Sequence, residues 1–232
     1  MENYLEINYE KNMQILSQAI KYCDESYSHN DIIEVLKGNN DIEKQICLIE
    51  LNKINSQEEA NILVFNLTQH SGPVRETAGY KITELISKEE FKPFFQTKEI
   101  LNTFVKAITD INPSVSRYAI EIINYVDNSK YLYEQIIEEL KITIENLDTE
   151  TKNRSYVQNK KNFNLYWNLE AIINLSNKIE ATTELIDILK ITAQSNDYTI
   201  REKTAKTAYL YNLKEIINIL KNDTNIYVKK YL

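Results

Sequence analysis

Apolar residues recur along this chain at helical spacing. In TKEILNTFVKAI (97–108), Ile100, Leu101, Phe104, Val105 and Ile108 fall on one face of a helix, with polar residues filling the other. In SQEEANILVFNL (56–67), Ser56 and Glu59 stand in capping-box spacing ahead of a strongly apolar stripe. ELIDILKI (184–191) and KEIINILK (214–221) repeat the pattern near the other end. Alternation of apolar and polar residues sustained over several positions, the mark of a half-buried strand, is missing. The pattern predicts helices joined by short polar turns.

One unit of this pattern recurs. SGPVRETAGYKI (71–82) is echoed by NPSVSRYAIEII (112–123), DYTIREKTAKTA (197–208) and DTNIYVKKYL (223–232), with a weaker copy, DIEKQICLIEL, from Asp41. Each sharp copy opens on a residue able to cap a helix: Ser71, Asn112, Asp197, Asp223. A β-branched residue follows three places on (Val74, Val115, Ile200, Ile226). One helical turn later stand Ala78, Ala119, Thr204 and, breaking the pattern, Lys230. The opening side chain satisfies orphan N–H groups. Pro73 and Pro113 lie near the first helical position, where a missing N–H costs little. The small residues let a neighbouring helix approach closely. Each copy therefore reads as a tight turn followed by the second helix of a helical hairpin. From Val115 to Ile200 the gap holds two hairpins, the degenerate middle one using NLYWNLEAIINLSN (164–177) as its second helix. SKEEFKPFFQTK (87–98) is an insertion, with Pro93 breaking any continuous helix.

Composition agrees. The 232 residues include only 3 glycines and 3 prolines, too few punctuators for a β-rich fold. The net charge of −7 and isoelectric point near 5.1 lack the basic footprint of a protein that lives on nucleic acid. Cys23 and Cys47 make no disulfide framework and lack metal-site spacing, which suits a reducing interior. The opening MENYLEINYEKN is too polar for a signal peptide, and no apolar run reaches the roughly 18–20 residues of a membrane span. The expected location is the cytoplasm, with no membrane partner.

Hairpins with Asp or Asn at the turn, then Val-Arg and an alanine one turn later, resemble HEAT-type repeats, carried most sharply by PVRETA, PSVSRYA and TIREKTAKTA. The closing pair, 26 residues from Ile200 to Ile226, is similar to the short repeats of bacterial HEAT proteins, including the bilin-lyase-like group. The resemblance implies an all-α, right-handed α-solenoid of about five to six hairpins, armadillo-like in outline, whose second helices line a concave face. It implies one domain over 1–232, with 1–40 as amino-terminal capping helices (a long helix, then a short one ending at Gly38) and 41–232 as repeats. It also implies that Arg75, Arg117 and Arg201, three of only four arginines, form a structural ladder between repeats. The competing reading of that row is an anion-contacting one.

Catalytic chemistry finds little footing. His29 and His70, the only histidines, both lie in turn contexts and read as exposed turn residues. The HEAT-fold iron hydroxylases use repeated His-Glu pairs, and none occurs here. There is no Gly-rich phosphate loop and no nucleophile motif. Glu134, Glu138 and Glu139 read as a solvated helix face. The expectation is no catalytic residue, no cofactor and no metal.

The most suggestive segment is KNRSYVQNKKNFNLYWN (152–168). Lys152, Arg154, Lys160 and Lys161 precede Phe163, Tyr166 and Trp167 without one acidic residue, a composition that can grip phosphates and stack bases. The competing reading is an exposed turn followed by core aromatics. The sequence thus predicts a non-enzymatic scaffold holding a protein or peptide on its concave face. Candidate contacts are Tyr118, Glu121, Tyr125 and Trp167, with Lys160 and Lys161 beside them. The alternative is a nucleic-acid binder resembling the alkylpurine DNA glycosylases built from HEAT-like repeats, disfavoured by the acidic balance. A bilin lyase has no specific residue behind it.

Overall fold

The computed structural model describes the backbone of residues 2–145 and 154–232, with side chains from Tyr9 and from Asn159 in the helices that open those two stretches. Among the described residues the fold is all-α, with no strand. In chain order the helices are α1 (Glu2–Asp24), α2 (His29–Lys37), α3 (Asp41–Glu50), α4 (Gln57–Phe65), α5 (Gly72–Ile86), α6 (Lys98–Ile108), α7 (Pro113–Ile123), α8 (Ser129–Glu145), α9 (Arg154–Leu175), α10 (Thr183–Thr192), α11 (Tyr198–Leu210), α12 (Lys214–Leu220) and α13 (Ile226–Lys229). Short 3-10 turns occupy Asn66–Thr68 and Lys92–Phe95, the second where Pro93 was expected to interrupt the chain. No described helix is long and apolar enough to cross a membrane.

The chain divides into two compact units, Met1–Thr103 and Phe104–Leu232. In the first, α3 packs between α1 and α5, while α2 packs on α3 and α4. In the second, α9 packs against α7 and α11, and α11 in turn against α13. There α10 joins α8 and α12. Helices two apart in the chain are therefore neighbours in space within each unit.

The caps explain where the helices start. Asn112 Oδ1 accepts the Ser114 N–H at 2.9 Å and Asp197 Oδ1 accepts that of Thr199 at 2.9 Å. Ser28 and Asp31 close a reciprocal capping box on α2. Three residues after the cap, Val74, Val115 and Ile200 are wholly buried; seven after it, so are Ala78, Ala119 and Thr204. Thr204 brings a hydroxyl into that small-residue position and satisfies it on Thr192 Oγ1 and the Ile200 carbonyl, both at 2.8 Å.

Several local expectations change. Ser71 makes no side-chain cap bond. The Val74 N–H, at the third helical position that Ser28 and Ser56 bond in their own helices, is left without that acceptor. In α4, Ser56 caps Glu59 as expected, but the Glu59 carboxylate reaches back to the Asn55 N–H at 2.7 Å rather than closing a box. The last copy of the repeat is out of register by two: its cap is Asn225, bonded to the Tyr227 N–H. Its buried landmark is Val228, whereas Ile226 is 74% exposed. The degenerate middle helix is α9, which starts at Arg154 rather than near 164, since nothing in its basic opening breaks a helix. His29 is not an exposed turn residue. It opens α2, and its Nε2 lies 3.0 Å from Glu59 Oε2 on α4 and 2.7 Å from Asn55 Nδ2. His70 is exposed.

Candidate functional site

The site is a groove between α7 and α9. Burial of Val115, Ala119, Ile122 and Ile123 on one side of α7 turns Arg117, Glu121 and Asn124 outward on the other. On α9 the stripe Tyr166, Trp167, Glu170 and Asn174 advances at helical spacing along the facing side. These residues and Ile120 enclose about 460 Å³. Trp167 is mostly buried, its ring meeting Tyr166 edge-on at 5.3 Å and Phe163 at 6.2 Å.

The electrostatics of the groove are mixed. Lys203 of α11 donates to Glu170 Oε2 at 2.5 Å, and Lys206 lies 3.7 Å from Oε1, so both carboxylate oxygens are engaged. The Lys203 ammonium also sits 4.5 Å above the centre of the Tyr166 ring. Burial works against the Lys203 charge, but the hydrogen bond and charge of Glu170, with Tyr166 beside them, carry its pKa above the usual lysine value. Asn174 Nδ2 donates to the Glu170 carbonyl at 2.9 Å, and Lys178 caps the α7 terminus by donating to the Asn124 carbonyl. Arg117 and Glu121, by contrast, are exposed and form no ion pair among the described residues. A cationic fork, two carboxylates, two amides and two aromatic faces thus line one groove. Such a set can hold an extended polar chain through side-chain amides and opposite charges. It assembles no nucleophile beside a base.

Of the sequence-predicted contacts, Glu121 and Trp167 come together in this groove, 46 residues apart in the chain. Tyr118 and Tyr125 are half-buried and do not line it. Lys160 is exposed on α9 away from the groove. Lys161 lines a separate hollow with Asn162, Leu165 and the turn residues Gln194 to Asp197. Lys152 and the Arg154 side chain lie outside the described residues. The expected arginine row splits. Arg75 Nη1 donates to the carbonyls of Gln69 and His70, and Arg201 Nη1 to those of Ser195 and Asn196, five and six residues back in each case. Ser116 occupies that position in α7 and bonds the Asp110 carbonyl six residues back. Arg117, one place further round, points away from the turn and into the groove. Asn124, Tyr166, Glu170 and Asn174 were not singled out as contacts; Tyr166 alone carried a signal, within the basic-aromatic segment.

No family model matches the chain, and no curated protein matches it. Among solved structures, the chain is similar to an engineered protein determined by the Northeast Structural Genomics Consortium. That match is 14% identical, covers 89% of this chain and 94% of that one, and has a TM-score of 0.45. A second engineered protein from the same consortium is 16% identical, covering 93% and 94%, with a TM-score of 0.43.

Proposed function

We propose that this chain is a non-enzymatic interaction module whose α7–α9 groove holds an extended segment of a partner protein. In this reading the hairpins are HEAT-like repeats stacked as a right-handed α-solenoid, with the row of second helices forming the concave face. The observation that carries the reading is the groove lining. Trp, Tyr and Arg are the residues that most often dominate protein interfaces, and here Tyr166 and Trp167 stand beside Arg117 and Glu121, which form no ion pair among the described residues. The Asn124 and Asn174 amides supply donors and acceptors matched to a peptide backbone. A nucleic-acid ligand suits the groove less, because Glu121 and Glu170 would face its phosphates.

A photo-crosslinking amino acid placed at Asn124 tests this in the full chain, with the exposed Glu139 of α8 as the control position. In a native extract, position 124 should capture polypeptide that position 139 does not, and Arg117→Glu should reduce the capture. Equal capture at both positions, or adducts that nuclease rather than protease removes, would overturn the reading.

A further inference from the structure

The helix α1 carries an apolar row that nothing in its own unit covers. Every side chain from Tyr9 to Gln18 is exposed, and between Tyr9 and Asp24 only Ala19 and Tyr22 are half-buried. The helix meets its unit through α3, with the Asn40 amide donating to Tyr22 Oη at 2.6 Å. Yet Tyr9, Met13, Leu16 and Ile20, which are 67%, 43%, 51% and 55% exposed, are followed by the exposed Cys23 at steps of four, three, four and three. That is the 3.5-residue period of a coiled-coil seam. A projecting helix of this length is marginal in water without tertiary packing.

We propose that α1 is a dimerisation helix, and that these five residues of two copies of this chain pair in a parallel, in-register coiled coil. The occupant follows from the seam itself. Met13 and Ile20 take the a positions, Tyr9, Leu16 and Cys23 the d positions. A β-branched residue at a with leucine at d favours two parallel strands. The flanking positions permit self-pairing: across a parallel seam Asn12 meets Ser17 of the second copy, and Ala19 meets its Asp24, so no like charges oppose each other. The pairing is isologous and therefore closes at two chains. A seam this short makes a reversible dimer rather than an obligate one.

The full chain is followed by sedimentation equilibrium over a range of concentration, with a short bismaleimide as a probe of Cys23. Cys47 is wholly buried and does not compete for the reagent. The expected result is a mass that rises toward twice the monomer as concentration increases, with a Cys23–Cys23 cross-link. Leu16→Glu and Ile20→Glu should each return the chain to monomer and abolish the cross-link, while retaining its helical circular dichroism, since both positions face solvent. Tyr166→Ala in the groove should leave the dimer unchanged, which separates this proposal from the peptide-binding one. A monomer at every concentration, or a dimer indifferent to both glutamates, would overturn the proposal. A glutamate-sensitive dimer without the cross-link would overturn the parallel register.

Discussion

Arg201 reaches Asp223 with Nε at 2.5 Å and Nη2 at 3.4 Å, while its Nη1 holds the carbonyls of Ser195 and Asn196. One guanidinium therefore ties its own turn to the turn before α13, 22 residues further along. Asp223 is shielded, its side chain 6% exposed, so the pair is screened far less than a surface ion pair. An ammonium cannot make this fork. Lysine would satisfy the carboxylate or the carbonyls, but not both sets together.

Arg201→Lys should therefore destabilise the second unit by about 2 kcal/mol in urea unfolding at neutral pH, through lost charge-assisted hydrogen bonds and uncovered carbonyls. The effect has a defined pH dependence. The hydrogen bond from Arg201 holds the Asp223 carboxyl below its ordinary value against an opposing contribution from burial. A folded-state pKa below the unfolded one adds stability that is present above the unfolded value of about 3.9, and is lost as pH falls through the lowered one. Wild type should lose this contribution on acidification below about pH 4. The variant should show a shallower acid dependence, and parallel curves from pH 5 to pH 2 would refute the coupling.

Ala119 of α7 is wholly buried seven residues after its cap, where close packing leaves no room for a longer side chain. Ala119→Leu inserts three heavy atoms into that packing and should cost about 3 kcal/mol through overpacking. Glu121→Leu, two residues on and facing the groove, should change stability by less than about 0.5 kcal/mol. Thermal unfolding of the two variants separates them, and similar melting temperatures would contradict the burial of Ala119 in a close-packed interior.

The two cysteines should behave oppositely. Cys23 is exposed, whereas Cys47 on α3 is fully buried and its thiol is pushed up to about 12, first by burial and then by the charges of Glu43 and Glu50. A chromogenic disulfide reagent at pH 8 should titrate one thiol quickly in the native chain and two after unfolding, because only an accessible thiolate reacts. The native chain carrying Cys23→Ser should give no fast thiol.

Local periodicity made the helices readable: the row Ile100, Leu101, Phe104, Val105 and Ile108 is buried as its spacing requires. What escaped depended on single-residue register or on distance. Asp223 and Asn225 are both plausible caps two residues apart, and Ile226 and Val228 are both β-branched. Only the backbone, by committing the Asp223 side chain to Arg201, decides between them. Arg117 looks like a ladder residue by alignment, yet a shift of one position rotates a helical side chain by about 100 degrees, which takes it from the turn to the groove. Asn124 and Asn174 are unremarkable in sequence, because their meaning comes from a helix pairing that brings together residues 50 apart.

Capping is where this difference can be measured. Asn112 and Ser71 look equivalent, each ahead of a proline and of a buried valine three places on. Their helices differ in which position the proline takes. In α7 the proline is first, and Asn112 accepts the Ser114 N–H at 2.9 Å; in α5 the proline is second, and Ser71 leaves the third-position N–H of Val74 unbonded as well. Asn112→Ala should therefore cost about 1 kcal/mol, the usual worth of a cap. Ser71→Ala should fall within about 0.5 kcal/mol of wild type, as at a site making no special contact. Urea unfolding of the two variants separates them, and equal losses would contradict the assignment of a cap to Asn112 alone.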